Sequence, residues 1–286
     1  VSGPWRIAVY ERYDGAPIYV FSEEHHNFGN CASLGKPSKH ITNLVQEILE
    51  TTRRSHVLVE HFLHATEVKR ESKEVCNLAP PTGSLENLRS CLEVLMNPKV
   101  CESCKERIHF IDPRADVVCV LPDGNLFKAI AEYAVRCATA GNYNDAVLVL
   151  YEAFIHPLWA IFPDKRVLVG RLKGRFEDFF KRLPAEKVET FKAMWQTKIT
   201  EQFSGVLKRY DEINDKYIIQ KSVDLAEFQN DVGDLMILYK LFTNTLLDLW
   251  TICVIDTIPK NDVSAILVYF GSLHGLHVEE MLKTLG

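Results

Sequence analysis

The sequence predicts an α/β protein, a small, mainly parallel sheet flanked by helices, with a large all-helical insertion before the last strand. Three observations carry this. Four short segments of β-branched, aliphatic and aromatic residues have strand length and composition, amphipathic helical stretches separate the first three, and from about residue 125 to 255 the apolar period becomes helical and stays so. Strands alternating with helices imply parallel pairing, because a crossover long enough for a helix joins each early pair.

The first strand is Pro17-Ile-Tyr-Val-Phe21. A helix follows over Ser38 to Arg54, with Ile41, Leu44, Val45, Ile48 and Leu49 on one stripe and Ser38 placed to cap it. The second strand is His56-Val-Leu-Val-Glu60. Ser84 to Leu95 is again helical, its Leu85, Leu88, Leu92 and Leu95 sharing a face and Asn97-Pro98 acting as the stop. Arg107-Ile-His-Phe-Ile111 is the third strand. The helical block then runs through Leu126 to Ala140, Tyr143 to Ile155, Arg171 to Leu183, Ala185 to Leu207 and a long segment ending near Ile255, punctuated by Pro157, Pro163 and Pro184. Charged pairs such as Lys181-Arg182 and Lys208-Arg209 read as solvated helix surface. Ala265-Ile-Leu-Val-Tyr-Phe270 is the last strand, and Val278 to Leu285 a short final helix. The expected organisation is an α/β core of residues 1–122 and 257–286 and a helical insertion of 123–256.

Composition narrows the function classes. With 286 residues, 47% apolar, 25% charged, 14 glycines and 12 prolines, the chain is neither collagen-like nor low-complexity. A formal charge of −5 gives no global positive field for a phosphate backbone, so nucleic acid is not an expected partner. Leu235 to Ile255 is interrupted by Lys240, Asn244 and Asp248, short of the ~18 to 20 uninterrupted apolar residues of a membrane span, so a soluble chain without a membrane partner is expected. Val1-Ser-Gly-Pro-Trp-Arg-Ile7 does not read as a secretory signal.

Eight cysteines are too sparse for a disulfide scaffold, and Cys119, Cys137 and Cys253 sit in apolar contexts, so reduced thiols and a cytoplasmic location are expected. Cys101-Glu-Ser-Cys104, with Cys76 and Cys91 upstream, reads as ordinary helix-end thiols, a local redox pair or a zinc site of uncommon spacing. Cys31, five residues after the first histidine cluster, reads as an inert or packing thiol, with a nucleophile near His25 as the alternative.

The chemistry collects at the strand ends. Behind the four strands come Ser22-Glu23-Glu24-His25-His26, Glu60-His61-Phe62-Leu63-His64, Asp112-Pro113-Arg114 and Gly271-Ser272-Leu273-His274. C-terminal ends of parallel strands share an edge, where open α/β proteins bind ligands, so Glu23, His25, Glu60, Asp112, Arg114 and His274 are the candidate site. Carboxylates beside imidazoles suit a divalent metal, Zn or Mn better than Mg. Without a metal, a Glu and His pair can serve as general base, with Arg114 steadying a developing anion. Two carboxylates facing each other, Glu23 and Glu60, would raise one pKa unless a cation compensates them. The GxSxG, GxxxxGK[ST] and GxGxxG signatures are all missing.

Phe21-Ser-Glu-Glu-His25, Val59-Glu60, His109-Phe-Ile-Asp-Pro-Arg114 and Gly271-Ser-Leu-His274, the last continuing through Leu276 to Leu282, resemble the motifs of the TIKI/TraB superfamily, which includes erythromycin-esterase-like and ChaN-like proteins. Within it the chain most resembles uncharacterised members that look to be encoded by large DNA viruses. Ser22 stands where the family has glycine. The resemblance implies metal-dependent peptidase or esterase-like hydrolysis in some branches, and haem binding or no known activity in others.

Two functional readings follow. In the first the chain is a hydrolase of a small-molecule or peptide substrate, with Glu23, His25, Glu60 and His274 as acid/base groups or ligands of a divalent metal, and Asp112 and Arg114 orienting the substrate. In the second it is a catalytically silent binding or structural protein, for instance a virion component, whose helical block meets a protein partner. The expected location is the cytoplasm, host cytoplasm or virion if the chain is viral.

Overall fold

A computed structural model describes residues 6–12, 15–23, 40–62, 84–114, 125–161, 177–178, 180–259 and 263–285. The chain divides into two compact units, Val1–Asp112 with Asp248–Gly286, and Pro113–Leu247. The second division falls inside a single long helix, so one secondary-structure element belongs to both.

The first unit holds a five-stranded sheet of order β1-β2-β5-β3-β4: β1 Arg6–Glu11, β2 Pro17–Glu23, β3 Ser55–Phe62, β4 Ile108–Asp112 and β5 Ala265–Gly271. β2, β5, β3 and β4 pair in parallel, and only β1 runs antiparallel, against β2. β5, last in sequence, lies between β2 and β3. Its continuous apolar run suits a central strand covered on both faces, and all six residues after Ala265 are buried.

β1 was not expected from the sequence, and the reason is physical. Its apolar residues Ile7 and Val9 point to solvent, whereas Arg6 and Tyr10 reach inward to Glu279. Arg6 Nη2 donates to Glu279 Oε2 at 2.6 Å and Tyr10 Oη to the same oxygen at 3.0 Å, so polar bonds hold this edge strand where a hydrophobic pattern would search for burial. Arg12 follows the strand and donates to the carbonyls of Ile255, Ile258 and Pro259, a cation at the C-terminal end of the long helix.

One sheet face carries Tyr19, Phe21, Val57, Val59, Leu267 and Tyr269. Helices α1 (Ile41–Thr51) and α2 (Ser84–Leu95) cover it with the leucine and isoleucine stripes predicted for them. His40 caps α1, its Nδ1 accepting from Thr42 N at 3.3 Å, while Ser38 lies outside the described residues. Burial lowers the His40 pKa, which keeps the ring neutral and able to accept.

The final helix, which we number α9 (Ser272–Leu285), packs on β2 and β5. It begins directly after β5, six residues before the predicted start at Val278, so His274 and His277 sit on helical turns instead of in a loop. Gly275 permits the contact, since a Cβ there would overlap Ser22 Oγ and stand 3.0 Å from Ser22 Cβ. Glycine thus occurs on the helix side of this close approach, opposite the serine on the strand.

The second unit is helical in all its regular described elements: α3 Asn125–Thr139, α4 Tyr143–Leu150, α5 His156–Ile161, α6 Ala185–Trp195, α7 Gln202–Asn214 and the first part of α8, Leu225–Thr257. Short π segments, Tyr151–Ile155, Gln196–Glu201 and Asp215–Ile219, interrupt the α geometry. Tyr143, Tyr217 and Phe228 pack ring to ring at 4.9 to 5.5 Å. Beside them Asp231 accepts from Tyr217 Oη at 2.7 Å, Arg209 at 2.6 Å and Lys216 at 3.1 Å. Arg209, expected on a solvated face, is a partner in this network; Lys208 is exposed as expected. α8 is long and apolar enough to cross a membrane by length and composition, a correction to the interrupted reading of Leu235 to Ile255, but most of its apolar window is buried inside the protein, as in a core helix.

The reduced-thiol expectation is overturned for Cys91, and the pairing left open for Cys101 and Cys104 is realised. Cys101 and Cys104 form a disulfide, and Cys91 is also disulfide-bonded. Cys137 and Cys253 are not disulfide-bonded, and Cys31, Cys76 and Cys119 lie outside the described residues.

Candidate functional site

The parallel pairing places the C-terminal ends of β2, β5, β3 and β4 along one edge, with Glu23 in register with Gly271. Strand alternation then separates the two glutamates. Glu23, two residues beyond Phe21, shares the face of Phe21 and Tyr269 that α1 and α2 cover. Glu60, one residue beyond Val59, turns toward the opposite face and α9. A shift in the β3–β4 pairing lies between Val59 and Phe62, an irregularity that re-aims side chains at a strand end.

Glu23 is buried with both oxygens engaged. Oε1 accepts from Leu85 N at 2.9 Å and Oε2 accepts from Tyr269 Oη. Leu85 lies in the first turn of α2, so this carboxylate satisfies an otherwise orphan N–H at a helix N-terminus. Glu60 does comparable work for α9, its Oε2 accepting from Gly271 N at 3.0 Å. Its Oε1 stands 3.9 Å from Arg89 Nη2 and 3.9 Å from His274 Nε2, while Arg89 Nε donates to the Glu60 carbonyl oxygen. The expected confrontation of Glu23 with Glu60 does not occur, because the pleat sends them to opposite faces.

The partner that orders the imidazoles is Asp248, fully buried on α8. Its Oδ1 lies 2.6 Å from His274 Nδ1 and its Oδ2 lies 2.9 Å from His277 Nδ1. A carboxylate accepting from both rings puts the proton of each on Nδ1, which leaves the basic lone pair of a neutral His274 on Nε2, the atom that faces Glu60. Asp248, Leu246, Leu247, Leu249 and Trp250 form a stretch in which a single carboxylate interrupts apolar neighbours. A charge in such a setting needs a buried partner, and that signal was present in the sequence although the residue was read only as a break in an apolar run.

Of the remaining candidates, Asp112 is buried at the end of β4 in register with Phe62. Arg114 belongs to the helical unit, where it donates to Asn244 Oδ1 at 3.0 Å. His25 lies outside the described residues.

The donor set bears on the divalent metal implied by the resemblance. Glu23 has both oxygens committed on the other face of the sheet, and among the described residues no group of three or more His, Cys, Asp or Glu side chains is arranged to hold a metal ion. Glu60 Oε1 and His274 Nε2 are two donors facing each other, short of a ligand set. The described arrangement fits acid/base work by an oriented imidazole better than metal ligation. No family model matches this chain, and neither a curated protein nor a solved structure matches it.

Proposed function

We propose that the chain is a hydrolase of an ester or peptide bond, of the TIKI/TraB kind that its motifs resemble, with His274 as general base and then general acid. The observation that carries the reading is the Asp248–His274–Glu60 array, in which Asp248 holds Nδ1 at 2.6 Å and Nε2 faces Glu60 Oε1 at 3.9 Å. Nε2 takes a proton from a water as that water attacks the substrate carbonyl. The imidazolium so formed lies between two carboxylates, and it returns the proton to the leaving group. Asp248 is a positioning residue that fixes the tautomer, and Arg89 steadies Glu60 from the opposite side. Because the described donors form no three-ligand set, no step is routed through a metal.

The test is hydrolysis of a panel of nitrophenyl esters and fluorogenic peptides. His274→Ala should lower kcat about 10² to 10⁴-fold, the range for removing a general acid/base group, with circular dichroism unchanged. Wild-type turnover no greater than that of a folded His274→Ala chain removes the reading.

A second reading, a catalytically silent binding protein such as a virion component, is favoured by one observation. Glu23 and Glu60 both anchor helix N-terminal segments, so a framework role accounts for them. In that case His274→Ala costs stability and alters no turnover. Its partner would meet the helical unit, where Ile219, Val223 and Ile237 are exposed. For either reading, the disulfides at Cys91 and Cys101–Cys104 favour an oxidising compartment over the cytoplasm.

A further inference from the structure

From the CxxC segment between α2 and β4 we infer a second chemistry: Cys101–Cys104 is a thiol–disulfide exchange site that oxidises external thiols, with Cys101 as the attacked sulfur and Cys104 as the leaving group. Three features of the segment converge on it.

The two sulfurs differ in access. Cys101 is partly exposed and is followed by exposed Glu102 and Ser103, whereas Cys104 is fully buried. Only one end of the bond can therefore be reached from solvent. The buried end has a cation beside it: Arg107 Nη2 lies 3.8 Å from Cys104 Sγ. The remaining Arg107 bonds hold that guanidinium in place, with Nε on Ser103 O at 2.8 Å, Nη1 on Thr52 O at 2.5 Å, and Nη2 on Leu49 O at 2.6 Å and Ser103 Oγ at 3.2 Å. Thr52 and Leu49 supply carbonyls from the end of α1, so the helix terminus fixes the cation against the sulfur. A fixed positive charge favours thiolate over thiol, which improves Cys104 as a leaving group. Finally, Cys91 supplies an internal contrast, since its sulfur belongs to a disulfide on a fully buried residue of α2.

The reaction balances with thiols as the reductant. An external thiolate attacks Cys101 Sγ, a sulfur–sulfur bond forms between them, the Cys101–Cys104 bond breaks, and its electron pair leaves on Cys104 beside Arg107. A second external thiolate attacks the external sulfur of that mixed disulfide and releases Cys101 as thiolate. Two external thiols are oxidised to one disulfide, the protein disulfide is reduced to two thiols, and the two protons that the external thiols give up pass through solvent to Cys101 and Cys104.

The experiment is mild reduction of the native chain across glutathione redox buffers, followed by acid quench, alkylation and peptide mass spectrometry. Cys101 and Cys104 should become alkylated at a ratio of reduced to oxidised thiol about tenfold or more below that needed to open the Cys91 disulfide. A reduced Cys104→Ser chain should capture oxidised glutathione as a stoichiometric mixed disulfide on Cys101. Opening of Cys101–Cys104 only together with the Cys91 disulfide, or no capture by a natively folded Cys104→Ser chain, overturns the proposal. If Cys104→Ser does not fold, the wild-type reduction series decides alone. The hydrolase assay is separate from both readouts.

Discussion

The smallest consequential group in the α/β unit is the hydrogen atom of Gly275. A methyl there meets Ser22 on β2, so Gly275→Ala should lower stability by about 1 to 3 kcal/mol, the usual cost of overpacking. Adding Ser22→Gly removes the obstructing Cβ and should recover much of the loss, as read by denaturant midpoints of the single and double variants. His56 offers a second prediction at this scale. Its Nδ1 lies 3.0 Å from His109 Nε2, and burial, then the charges of Arg107 and Arg12, hold its pKa at about 4 against an ordinary 6.5. The folded-state value is depressed, so the unfolded chain binds more protons between these limits. Stability should therefore hold above pH 6.5 and decline as pH falls toward 4, and His56→Gln should flatten that limb of a midpoint-against-pH plot. A slope equal to that of the wild type assigns the acid sensitivity elsewhere.

At the scale of elements, the two strand-end glutamates join strands to helices. Glu23 connects β2 to the first turn of α2, and Glu60 connects β3 to the backbone ahead of α9. Glu23→Gln keeps one acceptor but loses the charge at the helix N-terminus and should cost about 1 to 3 kcal/mol, with faster amide exchange confined to the start of α2. Turnover on the ester panel should change little, because Glu23 faces away from His274. A loss of turnover equal to that of His274→Ala would place Glu23 in the reaction and overturn this division of roles. Asp248→Asn tests the other link. The amide can donate as well as accept, so it no longer fixes both Nδ1 protons, and kcat should fall with a changed pH profile while KM moves little.

For the whole molecule the consequential fact is that β5 is synthesised last and sits in the middle of the sheet. Until it arrives, β2 and β3 each have an unpaired edge, and the Gly271 N–H that Glu60 accepts is missing. A chain ending at residue 258 should therefore fail to form the sheet. Its helical unit, with a buried aromatic core and the Asp231 network of its own, should keep helical circular dichroism. Protection of β2 and β3 amides in that truncated chain would show that the sheet closes without its central strand.

The residues by themselves determined the four parallel strands, the helices on either side of β3 and the helical character of the long insertion, because each writes its period and composition locally. They also placed Glu23, Glu60 and His274 at one sheet edge, since strand ends in a parallel sheet share a side. Tertiary structure decided the rest. β1 escaped the sequence pattern because its inward side chains are Arg6 and Tyr10, whose binding to Glu279 depends on a helix far along the chain. The pleat decided that Glu23 and Glu60 face opposite ways, and the path of α8 decided that Asp248, nearly two hundred residues from Glu60, holds the imidazole that looks toward it. Periodicity records which side of an element is buried, whereas the identity of the group across a contact is fixed only when distant segments of chain are brought within a few ångströms of each other.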